Sequence, residues 1–543
     1  MKLKAILLAG LLCLSGIIHA ADNPVIKIET ATTSLIFRVG DNGRLYQSYL
    51  GKRLHNEADI RHLPQGTEGY LTHGLEDYYE PALHIVHNDG NPSTLLKYTS
   101  HSSQKLTDGA TETVITLNDD QYPITVKLHY VAYPAENIIK TFSEISHKEK
   151  KPVSLQKYAS SMLHLNRNKY FLTEFCGDWS HEANVTEREL AYGKKVIDTK
   201  LGARANMFVS PFFQVSLDNP SEENAGEVLV GTLGWTGNFR FTFEVDHQNH
   251  LRVISGINPY ASEYSLPANE VFRTPDFYFT YSLDGKGQAS RNFHDWARRY
   301  QVKAGDETRM TLLNNWEATY FDFNEDKLVA LIGEAKHLGV DMFLLDDGWF
   351  GNRDSADRSL GDWTENRNKL GGSLAGLAEA VRKRGMEFGL WFEPEMVSPD
   401  SRLFRSHPDW AIQVKGRPKQ LARNQLVLDL SREEVQDYIV ESVDRVLREA
   451  PITYVKWDMN RNITDWGSGH LAAGRQKELG HRYILGLYRI LERLTGMHPD
   501  VLFEGCAGGG GRFDPGMLYY MPQIWASDDT DAAERLAIQH GTA

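Results

Sequence analysis

The sequence predicts two architectures in one chain. Residues 21–287 read as an antiparallel β-sandwich of the supersandwich type, and residues 288–543 as an incomplete (β/α)8 barrel of the TIM type. Three observations carry this. The first half is a series of short segments that alternate apolar and polar residues or run rich in Val, Ile, Phe, Tyr and Thr. The second half alternates buried apolar runs with helix-period stretches, and parallel strands need such crossovers. Acidic residues then follow one apolar run after another.

The chain opens with Lys2 and Lys4, an apolar stretch from Ala5 to Ile18, and the small residues Ala20 and Ala21. This is the layout of a secretory signal peptide over residues 1–20, and its apolar stretch is too short for a spanning helix. The expectation is a protein exported to the periplasm or medium, with no membrane partner once the leader is removed. Sandwich strands are predicted at Val25–Glu29, Leu35–Val39, Val114–Leu117, Ile124–Tyr130, Ile138–Ile145, Val228–Leu233, Phe239–Val245 and Phe277–Leu283. Turn clusters such as Asp41-Asn42-Gly43 and Asp89-Gly90-Asn91-Pro92 separate them.

A helical stretch with Phe293, Trp296, Ala297 and Tyr300 marks the switch of texture. Barrel strands are then predicted at Thr311–Asn315, Val340–Leu345, Met386–Phe392, Leu426–Leu430, Tyr454–Trp457, Val501–Phe503 and Ile524–Trp525, which makes seven βα units. Between them, Leu328, Leu331, Ile332, Ala335 and Leu338 share one helix face that ends at Gly339, and Leu374, Leu377, Ala378 and Val381 share another that stops at Gly385. Ser431-Arg432-Glu433-Glu434 has the form of a capping box, and Gln476–Thr495 reads as a helix ended by Gly496. Seven consecutive units suit a closed barrel better than an open sheet, with the eighth missing because the chain stops at Ala543.

Composition narrows the function. Charged residues are 24% and hydrophobic ones 41%, a globular balance. The net charge of −13 lacks the basic footprint that nucleic acid requires. Two cysteines outside the leader, Cys176 and Cys506, cannot build a disulfide framework.

What ends each predicted barrel strand is more informative. Asp346-Asp347, Glu393 and Glu395, Asp429, Asp458, Glu504 and Asp528-Asp529 all fall at or just beyond strand ends, and in a barrel these ends meet on one face. Any single one could be a helix N-cap, and Asp429 before Ser431 has that look; the shared habit is harder to attribute to capping. Carboxylates gathered in one pocket must be protonated, paired with a cation, or bound to metal. Lys456 and Arg423 are the available cations, no histidine set accompanies the acids, and His337 sits on a helix. Trp316, Trp349, Trp391, Trp457 and Trp525 lie beside the same ends. Indole faces stack on sugar rings, carboxylates accept from sugar hydroxyls, and a carboxylate pair can cleave a glycosidic bond. The glycines from Gly505 to Gly511 match neither the dinucleotide fingerprint nor the phosphate loop, because no lysine follows them.

Five segments together resemble a known family. Leu345-Asp346-Asp347-Gly348-Trp349, Trp391-Phe392-Glu393-Pro394-Glu395-Met396, Lys456-Trp457-Asp458-Met459-Asn460, Cys506-Ala507-Gly508-Gly509-Gly510 and Trp525-Ala526-Ser527-Asp528 resemble the motifs of the α-galactosidases of glycoside hydrolase family 36, with a Gly177-Asp178-Trp179 motif ahead of them. The resemblance implies a retaining exo-α-galactosidase acting on galactose-containing oligosaccharides such as raffinose or melibiose, with no cofactor and no metal. It implies Asp458 as nucleophile and Asp528 as general acid and then base. Asp346 and Asp347 would grip the far hydroxyls of galactose, while Lys456, Arg423 and Asn460 would hold others and tune the nucleophile. Cys506 and Gly508 would border the 2-hydroxyl, Trp316 and Trp391 would wall the pocket, and Trp179 would reach in from the sandwich.

Retention further predicts the two catalytic carboxyls about 5–5.5 Å apart. The resemblance also implies a homo-oligomer, commonly a tetramer. Two departures stand out: family members continue into an eighth unit and a C-terminal β domain, so the chain reads as truncated, and many members lack a leader. An α-N-acetylgalactosaminidase, a galactosyltransferase or an inactive sugar-binding fragment are the alternative readings.

Overall fold

The computed structural model describes residues 23–74 and 78–543, so the predicted leader lies outside the described residues. The first half is antiparallel throughout. A ten-stranded sheet runs from Asn184–Glu189 at one edge through Tyr170–Cys176, Val209–Leu217, Val228–Gly234, Asp276–Ser282, Ile138–His147, Ile124–Tyr133 and Thr111–Asp119 to Leu96–Lys105, with Val271–Arg273 pairing to Ile138–His147 beside this path. A six-stranded sheet built around Val153–Asn166 and His250–Ile257 packs against it. A four-stranded sheet begins at Val25–Glu29. Every sandwich strand predicted from sequence is found.

Period-two patterning explains the packing. Phe239, Phe241 and Phe243 alternate along one strand of the six-stranded sheet, so their rings share a face and none is exposed. Phe213 of the facing sheet meets Phe241 and Phe243 edge-on, both at 5.0 Å between centroids. The predicted switch helix follows, Gly285–Trp296, extended by a π-helical turn over Ala297–Gln301. It packs on the large sheet through Ala289 and Trp296, whose ring lies 4.5 Å from Tyr278.

The second half holds a six-stranded, wholly parallel sheet in chain order: Leu312–Asn314, Met342–Leu345, Glu387–Phe392, Tyr454–Trp457, Leu502–Gly505 and Gln523–Ile524. This is an incomplete barrel, and among the described residues its first and last strands pair with no strand on their outer edges. Helices Glu325–His337, Leu374–Arg382, Glu433–Glu449 and Leu479–Met497 cover the outside. Gly339 and Gly385 follow the first two with φ of 82° and 69°, the left-handed conformation that glycine enters most cheaply.

Three expectations are corrected. The predicted strand Leu426–Leu430 is no barrel member: Leu426–Val427 pairs antiparallel with Met396–Val397, and Glu387–Phe392 pairs directly with Tyr454–Trp457. The run is buried on all sides by this ribbon and by Trp410, whose carbonyl accepts from Asp429 N–H at 2.7 Å. Total burial imitates a central strand without naming its partner. The Ser431 capping box also fails to form. Arg432 stands at the N-cap with no side-chain bond, because the Ser431 hydroxyl donates to Asp429 at 2.6 Å. Finally, Gly496 lies inside its helix, which runs to Met497. No helix among the described residues is long and apolar enough to cross a membrane.

Candidate active site

The parallel strands deliver their C-terminal ends to a cavity of about 1090 Å³. Asp458, Asp528, Asp346, Asp347, Lys456, Asn460, Arg423, Trp391, Trp316 and Trp179 all line it. Cys506 and Gly508, the remaining residues singled out by sequence, sit behind Asp458. The Gly508 N–H points at its Oδ1 from 3.3 Å, and the buried Cys506 thiol beside it favours the ionised carboxylate. Both cysteines outside the leader are unpaired thiols.

Asp458 follows directly on the strand Tyr454–Trp457, anchored by its own N–H to the Phe392 carbonyl at 2.8 Å. Its Oδ2 accepts from Asn460 Nδ2 at 2.7 Å and from the Trp391 indole at 3.1 Å, and its Oδ1 from Met459 N–H at 2.9 Å. Burial works to raise its pKa. The Lys456 charge, the bond from Asn460, the Cys506 thiol and the Arg423 charge overcome it, so the carboxyl is held below the usual aspartate value. Asp458 is therefore a buried anion at neutral pH.

The same cation holds the neighbouring strand end. Lys456 Nζ lies 2.9 Å from Asp346 Oδ2, and Asn314 Nδ2 donates to that oxygen from 2.5 Å. Burial would neutralise Lys456, but Asp346 foremost, then Cys506, Asp458 and Glu504, push its pKa well above that of an ordinary lysine. Asp347 is gripped by Arg353, whose Nη2 and Nε donate at 2.8 and 3.0 Å, although burial still raises its pKa. Arg423 donates Nη1 to Asn460 Oδ1 at 2.8 Å, from a left-handed backbone with φ of 50°.

Asp528 is built differently. It is half-buried beyond the last strand, and two indoles clamp it: Trp525 Nε1 donates to Oδ1 at 3.0 Å and Trp179 Nε1 to Oδ2 at 2.9 Å. Trp179 belongs to the sandwich half, 349 positions away, and remains 55% exposed. No lysine or arginine lies within ion-pair distance of Asp528 among the described residues, whereas Asp346 and Asp347 each have one.

Several strand-end residues serve the scaffold instead. Glu395 is fully buried against Arg512 at 2.9 Å and accepts from Trp457 and Tyr483 at 2.8 and 2.7 Å. Asp429 is not a helix cap; it ties Ser431 to the Ser468 hydroxyl. Trp349 and Trp457 are 0% exposed and cannot stack on a ligand.

Sequence reasoning missed Arg353, Arg204, Glu182 and the part played by Glu393. Arg204 comes from the sandwich half and donates to the Ala507 and Gly508 carbonyls at 2.5 and 3.0 Å. Glu393 accepts from Asn460 N–H and Gln425 at 2.7 and 2.8 Å; burial first, then Asp458, push its pKa up to about 7. Arg353, six positions after Asp347, offered a spacing signal; a lone Arg or Glu among sandwich turns offers none.

Comparison with known proteins agrees with this geometry. Residues 271–543 match the Melibiase family model, and residues 43–267 match the glycosyl hydrolase family 36 N-terminal domain. The chain belongs to glycoside hydrolase family 36. It is a glycoside hydrolase of the α-galactosidase class. It is 43% identical over 490 residues to alpha-galactosidase AgaA of Geobacillus stearothermophilus, covering 87% of this chain and 67% of that relative. Against alpha-galactosidase Mel36A of Lactobacillus acidophilus the identity is 37% over 558 residues, covering 96% and 76%. The crystal structure of AgaA superposes with a TM-score of 0.92 at 39% identity, over 96% of this chain and 77% of that one. AgaA variants have also been solved with stachyose and with raffinose. Each carries one replaced aspartate, and the two aspartates lie seventy positions apart in AgaA.

Proposed function

We propose that this family 36 hydrolase releases terminal α-linked galactose from oligosaccharides of the raffinose and stachyose type, with retention, through a covalent galactosyl-enzyme. The observation that carries the reading is the contrast between two aspartates on one cavity: one anionic and cation-supported, the other held by indoles alone. In the first step Asp458 attacks the anomeric carbon as the glycosidic bond breaks, and the Asp528 carboxyl gives its proton to the departing oxygen. In the second, Asp528 takes a proton from water, which displaces Asp458 from the same carbon.

The AgaA complexes support the choice of this pair, since the seventy-position separation of the two replaced aspartates equals that between Asp458 and Asp528. Asp346 and Asp347, held by Lys456 and Arg353, present fixed acceptors for galactose hydroxyls, and Trp316 and Trp391 supply ring walls. A Cβ at Gly508 would stand 2.4 Å from Arg204 and 3.3 Å from Asn460, so this wall is already closed. That tightness speaks against an N-acetyl group at the 2-position.

The test is hydrolysis of p-nitrophenyl α-galactoside by the purified protein, with the first-formed anomer read by proton NMR. α-Galactose as first product supports retention; β-galactose overturns it. Export is tested by N-terminal sequencing of secreted protein, which should begin near Ala21. The proposed homo-oligomer is tested by light scattering.

A further inference from the structure

We infer that Glu182, on the sandwich half, is a positioning residue for Asp528; the inference rests on the proton-transfer role proposed above for that aspartate. Glu182 is only 5% exposed, and among the described residues no lysine, arginine or histidine lies within ion-pair distance of it. A buried carboxyl without a cation is costly, and an apolar residue of similar volume would be cheaper. Its surroundings show what it holds.

Glu182 lies beside Ser527, the fully buried residue immediately before Asp528, and its Oε2 is buried with no hydrogen-bond partner among the described residues. Its Oε1 accepts from Ser180 N–H at 3.4 Å, in the turn that carries Trp179. That turn is strained: Ser180 and Ala183 have φ of 65° and 55°, and a Cβ on Gly177 would stand 2.2 Å from the His181 carbonyl. One carboxyl thus sits between the two segments that meet at Asp528, the Ser527 backbone and the turn that carries the Trp179 indole donor.

The third wall is glycine. A Cβ on Gly509 would lie 2.3 Å from Glu182 Oε1 and 3.0 Å from Asp528 N, so the backbone there closes directly on both. Burial raises the Glu182 pKa, with a lesser contribution from Asp528, which fits a neutral carboxyl able to approach an acidic neighbour. The other charges on this corner are Arg535, donating to the Ser527 carbonyl at 3.3 Å, and the His181–Glu534 pair at 3.7 Å.

The test separates positioning of a proton donor from support of the fold. Raffinose has a leaving group that needs protonation; 2,4-dinitrophenyl α-galactoside does not. E182A should lower kcat/KM on raffinose by about tenfold or more, while kcat/KM on the dinitrophenyl substrate, which reports only the first step, falls less than about threefold. E182Q, which keeps the side chain's length and an oxygen acceptor for Ser180 N–H, should recover most of the loss. Equal losses on both substrates, or none on either, overturn the inference. If E182A does not fold, E182D, which withdraws the carboxyl by one methylene, is read on the same two substrates. D528A, measured alongside, keeps the two readings distinct. If D528A shows no leaving-group split, the acid/base assignment has failed. If D528A shows it and the Glu182 variants do not, only the positioning inference falls.

Discussion

The two flanks of the cavity are engineered on opposite principles. On the Asp458 flank a chain of charges from the barrel half runs from Asp346 through Lys456 to Asp458, all buried, and ends at the exposed Arg423. On the Asp528 flank the carboxyl is half-buried, bound by two indole N–H groups, and completed by a turn from the sandwich half. The difference teaches how one residue type performs two tasks. Cations surround one aspartate, and neutral N–H donors alone hold the other. The barrel half surrounds the first aspartate with charge, while the second is completed by a residue of the sandwich half.

That contrast can be broken at its strongest point first. Asp458→Ala should reduce turnover of any α-galactoside by about 10⁴-fold or more, because no other carboxylate can take over the attack. Steady-state rates on p-nitrophenyl α-galactoside decide it, and near-normal activity would remove the nucleophile. Asp528→Ala should be graded instead. Loss on raffinose of roughly 10²–10⁴-fold, against a much smaller loss on an activated aryl galactoside, is the signature of a missing general acid.

Lys456→Met sharpens the comparison by removing the cation that supports one flank only. The pKa of Asp458, now depressed, should rise, so the acid limb of the pH–rate profile moves to higher pH. Asp346 loses its partner at the same time, and breaking a buried pair costs about 3–5 kcal/mol of stability. Urea denaturation measures that second effect. An unmoved acid limb would show that Lys456 does not tune the nucleophile.

The smallest expected effect concerns Glu393, behind Asp458. Its pKa is raised to about 7 in the folded chain, so the fold favours its protonated form. The sign follows: the contribution is full below the unfolded value near 4.5 and is lost as pH rises through about 7. Glu393→Gln keeps an acceptor for Asn460 and Gln425 and removes the titration. It should stabilise the protein by roughly 1–3 kcal/mol at pH 8 and change little at pH 5, as read from paired denaturation curves. A uniform change at both pH values would contradict a raised pKa.

Much of this molecule was legible from residue pattern. Period-two runs located the sandwich strands because each has one buried face, and the helix faces around Ile332 and Val381 were visible because each helix buries one stripe. The carboxylates after the barrel strands and the Lys456-Trp457-Asp458 segment were visible too, since their spacing is local. The run at Leu426–Leu430 misled, because a segment buried on every side carries no periodicity to name its partner. Trp349 and Trp457 misled in the same way: an indole beside a strand end can face a ligand or the core, and only packing chooses.

The sequence by itself determined the order of elements, the helix and strand faces, and which aspartates stand at strand ends, because these follow from short-range periodicity and chemistry. Tertiary structure alone decided the rest. It paired Glu387–Phe392 with Tyr454–Trp457, brought Trp179, Glu182 and Arg204 against the glycine loop at Gly508 and Gly509, and set Asp347 on Arg353. Those contacts join residues up to 349 positions apart, and no local pattern encodes a partner at that separation. The electrostatic division between the two aspartates exists only once such contacts have formed.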